Sequence, residues 1–241
     1  KFDFFINKTG LNLVQDRGIL ETFIGKSPFS YEKQARMLNL IDLPPPNSYI
    51  YTEEVTSTLK EIITITRGKT LILFTARKQM LACAKLLRPF CAAHQLELLV
   101  QNEDGETGHI INSFMAKENS ILMGLDSFWE GIDLKGDILT CLVIVKLPFR
   151  APSEPFASAY EKHYRNLGLN SFLNFALPDA VMRFKQGIGR LIRSEKDQGV
   201  VIVLDNRLYT KKYGESFKKS IPIKNIFNIE KNQLSMYMEK K

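Results

Sequence analysis

From residue 68 onward, short runs of aliphatic and β-branched residues alternate with longer segments of helical period, and this alternation restricts the fold more than any other feature of the chain. The runs at 70–74, 96–100, 121–125, 140–147 and 200–204 are continuous instead of alternating in and out, so they predict strands covered on both faces. Segments 78–90, 109–116, 154–166 and 179–193 carry apolar residues at helical spacing. Strands joined in series through helices need right-handed crossovers. The prediction is an α/β fold: a doubly wound, mainly parallel sheet with helices on both faces. Ligands in such sheets sit beyond the carboxyl ends of the strands, so the loops after residues 74, 125, 147 and 204 are where chemistry is sought.

Residues 1–67 read differently. Phe2, Phe4, Phe5, Leu11, Leu13 and Ile19 form an apolar lead-in, and Pro44, Pro45 and Pro46 break the chain before a helical stretch over 53–66. This flank is expected to pack on the sheet and to supply an edge strand near 36–41. The segment 148–177 is longer than a crossover needs and is expected to be an insertion on the ligand side. With 68–147 and 178–227 as core and 228–241 as a solvated helical tail, the expectation is a single domain over 1–241. The start at Lys1, without a methionine, is expected of a piece of something longer.

At 241 residues, 44% hydrophobic and 24% charged, the chain has the composition of a globular domain. No apolar run approaches the roughly 18 residues that cross a bilayer, so no membrane segment is expected. Cys83, Cys91 and Cys141 form no CxxC pair and lie in apolar surroundings, as buried thiols of a cytoplasmic protein would. His94, His109 and His163 have no ligand spacing, so no metal site is expected from them. The net charge of +7 favours a polyanionic partner.

Two triplets, Gly68-Lys69-Thr70 and Gly25-Lys26-Ser27, match the end of the phosphate-loop pattern GxxxxGK[ST]. The first glycine is missing in both, its places being held by Ile63 and Leu20. A phosphate loop leaves a strand and enters a helix, whereas here the apolar run follows Thr70, and Pro28 after Ser27 has no N–H for an anion. Both read as ordinary basic loop residues.

Two other stretches carry more chemistry. In "FKQGIGRLIRSEKDQGVVIVLDNR", residues 184–207, a continuous helix would put Gln186, Arg190 and Arg193 on one face, with Phe184, Ile188 and Leu191 opposite. Gly187 and Gly189 each weaken a helix by about 1 kcal/mol relative to alanine, which suggests close approach to the backbone. Two guanidiniums and an amide suit polyphosphate oxygens, but a solvated basic face has the same composition. In "MGLDSFWEGIDLKGD", residues 123–137, Gly124 and Gly131 permit tight turns, Glu130 and Asp133 are paired acids, and Phe128 and Trp129 offer an aromatic shelf. An acid there suits a ribose hydroxyl; paired carboxylates also suit a metal or glycoside hydrolysis, and a charged turn beside a packed Trp needs no ligand.

In this order, and after "LILFTARKQM", these stretches resemble motifs IV, V and VI of superfamily 2 helicases, in the branch that holds DinG and XPD. "KLPFRAPSEP" and "SPFSYEKQ" are similar to DinG-family text too, so the resemblance covers nearly the whole chain. It implies the C-terminal RecA-like half of a two-lobed motor that binds ATP between its lobes. The phosphate loop and the Mg²⁺ ligands belong to the N-terminal half, which is the implied partner along with single-stranded DNA. The family pattern assigns Arg190 and Arg193 as arginine fingers, and gives Glu130, Gly131, Asp133, Gln186 and Gly189 to the nucleotide. Thr75, Arg77, Gly124, Ser127 and Phe128 match positions that hold a strand's backbone, while Asp205 and Arg207 match a structural or coupling pair. Two other readings stay open: a lobe that binds nucleic acid without turnover, and a lobe of a DinG-like 3'-5' exonuclease that does not unwind DNA.

Overall fold

The computed structural model describes residues 2–15, 18–25, 27–129 and 139–239. In chain order the elements are α1 (Asp3–Thr9), α2 (Asn12–Gln15), α3 (Tyr31–Gln34), β1 (Ala35–Leu40), α4 (Tyr51–Thr66), β2 (Thr70–Leu73), α5 (Arg77–Ala93), β3 (Glu97–Val100), α6 (Thr107–Ala116), β4 (Ser120–Gly124) and α7 (Asp126–Trp129). Beyond residue 138 follow β5 (Cys141–Ile144), α8 (Pro155–Asn166), a π-helix (Phe172–Ala176), α9 (Leu177–Ile188), β6 (Gly199–Val203), α10 (Arg207–Thr210), α11 (Gly214–Ser220), β7 (Ile226–Ile229), a 3-10 turn (Lys231–Gln233) and α12 (Leu234–Glu239). Two compact units result: one of Lys1–Pro28 with Phe149–Ala180, the other of Phe29–Pro148 with Val181–Lys241.

The second unit holds a sheet in the order β3-β4-β2-β5-β6-β1-β7, and every pairing in it is parallel. β2, β4 and β5 are buried at every residue, as their continuous apolar runs predict. The α4 residues Val55, Leu59 and Ile62 and the α5 residues Met80, Cys83 and Leu87 are fully buried in the core that this sheet shares with them. The expected strand near 36–41 exists as β1, but not at an edge: it lies between β6 and β7. The edge belongs to β7, whose last two residues fall in the tail expected over 228–241 to be helical. Asn39 and Asn228 face each other in register, and the Asn39 amide donates to Asn228 Oδ1 at 3.0 Å, which ties β7 to its neighbour.

The Gly68-Lys69-Thr70 triplet turns the chain from α4 into β2. Arg67, Gly68 and Lys69 all have positive φ, and a β-carbon on Gly68 would stand 2.0 Å from the Glu118 carbonyl oxygen. Backbone crowding therefore accounts for this glycine without a phosphate.

In the first unit, the buried Asp179 carboxylate accepts from Lys8 Nζ at 2.7 Å and Arg150 Nε at 2.9 Å. Tyr160 stacks on Phe175 with ring centroids 4.5 Å apart. The π-helix precedes Pro178, which has no N–H to continue the ordinary ladder.

Candidate functional site

The loop after β2 begins at Phe74, whose N–H donates to the Gly124 carbonyl at 2.9 Å, so the ends of β2 and β4 are joined. Thr75 is half-buried in that loop. Arg77 opens α5 and is 60% exposed, with Nη2 3.0 Å from Glu103 Oε1. An exposed pair of this kind contributes about 0–1 kcal/mol, so it does not lock the guanidinium away from another anion.

Gly124 ends β4, and its lack of a side chain is structural: a β-carbon there would stand 2.5 Å from Phe128 Cγ. Phe128 and Trp129 are fully buried, and the Trp129 indole N–H donates to the Phe74 carbonyl at 3.2 Å. The expected aromatic shelf is thus part of the core, and the Phe128 ring is closed to a strand. Ser127 is exposed, and its Oγ accepts from Gln101 Nε2 at 2.6 Å. Gln101 Oε1 accepts the Leu125 N–H at 2.7 Å, so one buried amide sets the loop after β4. Glu130, Gly131 and Asp133 lie outside the described residues.

The helix expected over 179–193 ends at Ile188. Gln186 is exposed on its last turn, and Gly189 and Arg190 form the turn that follows, so the three polar residues do not share a helix face. Gly187 lies against the Trp129 ring, and that ring is what approaches the backbone closely. Arg190 reaches from the turn to donate to the Trp129 carbonyl at 3.4 Å, bringing the segment after β4 and the turn after α9 together. The backbone N–H groups of Arg193 and Ser194 donate to Asp197 Oδ2 at 2.7 and 2.9 Å, and the Ser194 hydroxyl donates to Oδ1 at 2.5 Å. Burial disfavours the Asp197 charge, but these three donors outweigh it and hold the carboxyl below its ordinary pKa. Gln34 Nε2 donates to the carbonyls of Ser194 and Asp197 from the other side.

Asp205, fully buried after β6, accepts the Leu147 N–H at 2.8 Å and the Arg207 guanidinium at 2.6–3.1 Å. Burial works against the Arg207 charge, yet Asp205 raises its pKa above the ordinary value. The Tyr51 hydroxyl donates to the Val145 carbonyl at 2.5 Å and the Leu204 carbonyl at 3.3 Å, clamping the ends of β5 and β6. Burial, then Asp205, pushes its pKa well up.

Sequence reasoning missed Gln101, Asp197 and Gln34. The one available signal was "SEKD", residues 194–197, where a serine three residues before an aspartate is turn chemistry. A cavity of about 480 Å³ lies at the amino ends of β1, β5 and β6, lined by Gln34, Thr140 and Gln198 among others, and none of the residues assigned to nucleotide or DNA line it. Among the described residues, no group of three or more His, Cys, Asp and Glu is placed to hold a metal ion, and no helix is long and apolar enough to cross a membrane.

The chain is similar to known proteins over this same region. The helicase C-terminal domain model matches residues 59–224. ATP-dependent DNA helicase YoaA of Escherichia coli (strain K12) is 37% identical over 202 residues, which are 84% of this chain and 31% of that protein. The 3'-5' exonuclease DinG of Bacillus subtilis (strain 168) is 33% identical over 241 residues, 98% of this chain and 26% of that one. The chain therefore spans less than a third of the length of these relatives. In fold it resembles a solved XPD helicase, with a TM-score of 0.64 at 19% identity over 81% of this chain and 35% of that chain. The C-terminal domain of the DEAD-box protein Dbp5 superposes with a TM-score of 0.56 at 12% identity over 88% of this chain and all of that one. With the stretches resembling motifs IV, V and VI all inside the matched span, on the RecA-like sheet that these structures share, the chain belongs to the helicase C-terminal domain family.

Proposed function

We propose that this chain is the C-terminal lobe of a cytoplasmic, DinG-type ATP-dependent DNA helicase, acting with a second RecA-like half on ATP, Mg²⁺ and single-stranded DNA. The observation that carries the reading is the anchored loop after α9. Arg190 and Arg193 leave one backbone segment fixed by Asp197 and Gln34, and Arg190 also grips the carbonyl of Trp129. Guanidiniums carried on a loop whose backbone is fixed in advance suit charge that develops on a transferred phosphoryl group, because little reorganisation is needed when it appears. Gln186 and Gly189 beside them, and Glu130, Gly131 and Asp133 of motif V, complete the nucleotide side. Thr75, Arg77, Gly124, Ser127 and the Phe128 backbone serve the strand. Gripping phosphates without reading bases fits a motor that moves along any sequence.

The test is ATP turnover by the full-length protein. Arg190→Ala and Arg193→Ala should each lower it by about 10³-fold or more, with a much smaller effect on nucleotide binding. Unchanged turnover in both would overturn the assignment. The chain alone should turn over no ATP, because the phosphate loop and the Mg²⁺ ligands belong to the other half in this reading.

A second reading rests on the Bacillus subtilis relative, named an exonuclease and aligned over 98% of this chain. There the lobe would bind nucleotide and nucleic acid to regulate a nuclease. Shortening of a labelled single strand by the full-length protein, without ATP-driven unwinding of a duplex, would favour it.

A further inference from the structure

The sheet changes direction between two neighbouring strands. From β2 the chain passes through α5 to β3 at one edge, and from β5 it continues to β6 on the other side. β2 and β5 are hydrogen-bonded neighbours whose onward connections part, and a crevice forms beyond the carboxyl ends of such a pair. Leu73 and Ile144 stand opposite in register there, and two residues beyond each come Thr75 and Lys146. Lys146 was not among the residues singled out from the sequence, and the functional reading above does not use it.

The surroundings of Lys146 hold it without neutralising it. Its Nζ stands over the Tyr51 ring, 5.0 Å from the centroid, while the Tyr51 hydroxyl is engaged with the ends of β5 and β6. Asp205 is taken up by the Leu147 N–H and by Arg207. Among the described residues no carboxylate forms an ion pair with Lys146. Burial, and next the field of Arg207, pull its pKa down, and the opposing field of Asp205, already engaged with Arg207, does not make up the difference. Two cations and one carboxylate leave a net positive charge on a rigid support.

We propose that Lys146 binds a backbone phosphate of the single strand, at the crevice between β2 and β5 and beside the loop that carries Thr75. The proposal rests on the single-strand reading above and adds a contact from the loop after β5. A compact ammonium suits one phosphate as a point charge, without the bidentate geometry of arginine. The aromatic face beneath keeps it in place when no strand is bound.

The experiment is salt-titrated binding of a fluorescein-labelled dT15 to the full-length protein, with Lys146→Met, Lys146→Arg and Arg77→Ala beside wild type. Methionine keeps an apolar chain over Tyr51 and removes only the charge. Lys146→Met should flatten the plot of log K against log salt by about 0.7, the value for one phosphate on a single strand. Lys146→Arg should keep the wild-type slope, and affinity for a fluorescent ATP analogue should be unchanged in both. A wild-type slope in Lys146→Met while Arg77→Ala loses its share would overturn the proposal and leave the strand reading standing. Loss of ATP-analogue affinity without a change in slope would assign Lys146 to the nucleotide and overturn it too. Absence of dT15 binding by wild type would overturn both. Should Lys146→Met unfold, the NMR signal of the Lys146 ε-carbon in wild type decides: it should move on adding dT15, and no movement at saturation removes the contact.

Discussion

The ring of Trp129 occupies the space where a β-carbon on Gly187 would stand: that atom would lie 2.6 Å from Cε3 and 2.9 Å from Cζ3. The ring cannot retreat easily, because it is fully buried and its N–H is held by the Phe74 carbonyl.

Gly187→Ala therefore sets two effects against each other. Alanine favours the helix by about 1 kcal/mol, whereas overpacking a closed core costs about 1–3 kcal/mol. At 2.6 Å the overpacking should win, for a net loss of about 1–2 kcal/mol. Trp129 is the only tryptophan in the chain, so its fluorescence during urea unfolding reports the result directly. An unchanged midpoint would show that overpacking only cancels the helix gain, and a raised one that the ring moves aside freely; either would contradict the prediction.

Acid should release the loop that carries Arg193. The Asp197 pKa is depressed in the folded state, so its contribution is fully present above the unfolded value of about 3.9 and is lost as pH falls through the folded one. Asp197→Asn should cost about 1–2 kcal/mol near neutral pH, because half-buried N–H donors lose a charged acceptor. The gap between wild type and variant should close below about pH 4. Urea midpoints at pH 7 and pH 3.5 check this, and a gap that stays constant would contradict it.

The three cysteines should be unreactive in the native chain. Cys83, Cys91 and Cys141 are buried, and burial pushes Cys91 up to about 11 and Cys141 up to about 12. Attack requires an accessible thiolate, which at pH 8 these thiols do not provide. Ellman's reagent should label none before denaturant and all three after it.

In the proposed single-strand reading, Glu103, which pairs with Arg77, would compete with an arriving phosphate for its guanidinium. Arg77→Ala should flatten the salt dependence of single-strand binding by about 0.7, while Glu103→Gln should strengthen binding by removing the competing charge. Equal slopes for wild type and Arg77→Ala would take this arginine off the strand's path.

The strands legible in the sequence are those whose apolar runs are unbroken. β2, β3 and β5 fall within the stretches that their composition marks, and β4 and β6 each begin one residue earlier, at Ser120 and Gly199. β7 was hidden because "IFNI" is short, carries a polar residue and runs straight into helical text; only its pairing with Asn39 reveals it. The helix over 179–193 was drawn too long because Leu191 is buried although it lies past the helix end, so apolar spacing persisted through a turn. Phe128 and Trp129 looked like surface aromatics in a polar loop. The signs of their burial were two glycines, Gly124 and Gly187, whose missing β-carbons leave room for the rings, and that relationship is spatial. Lys146 opens the quoted stretch "KLPFRAPSEP" but took no role from it, because its isolation from carboxylates appears only when the loops after β5 and β6 meet.

The place of β1 has a bearing on how the chain is made. Ala35 stands in register with Gly199, and Met37 with Ile226, so the strand synthesised first among the seven lies between the two synthesised last. The segment carrying β2 through β5 can collapse around local crossovers as it emerges, but β1 must wait for β6 and β7 before its backbone finds partners. Contacts so distant along the chain are slow to form, and a waiting strand with an apolar face is exposed to other nascent chains. Half-made copies of this lobe are thus the ones that a chaperone would need to shield.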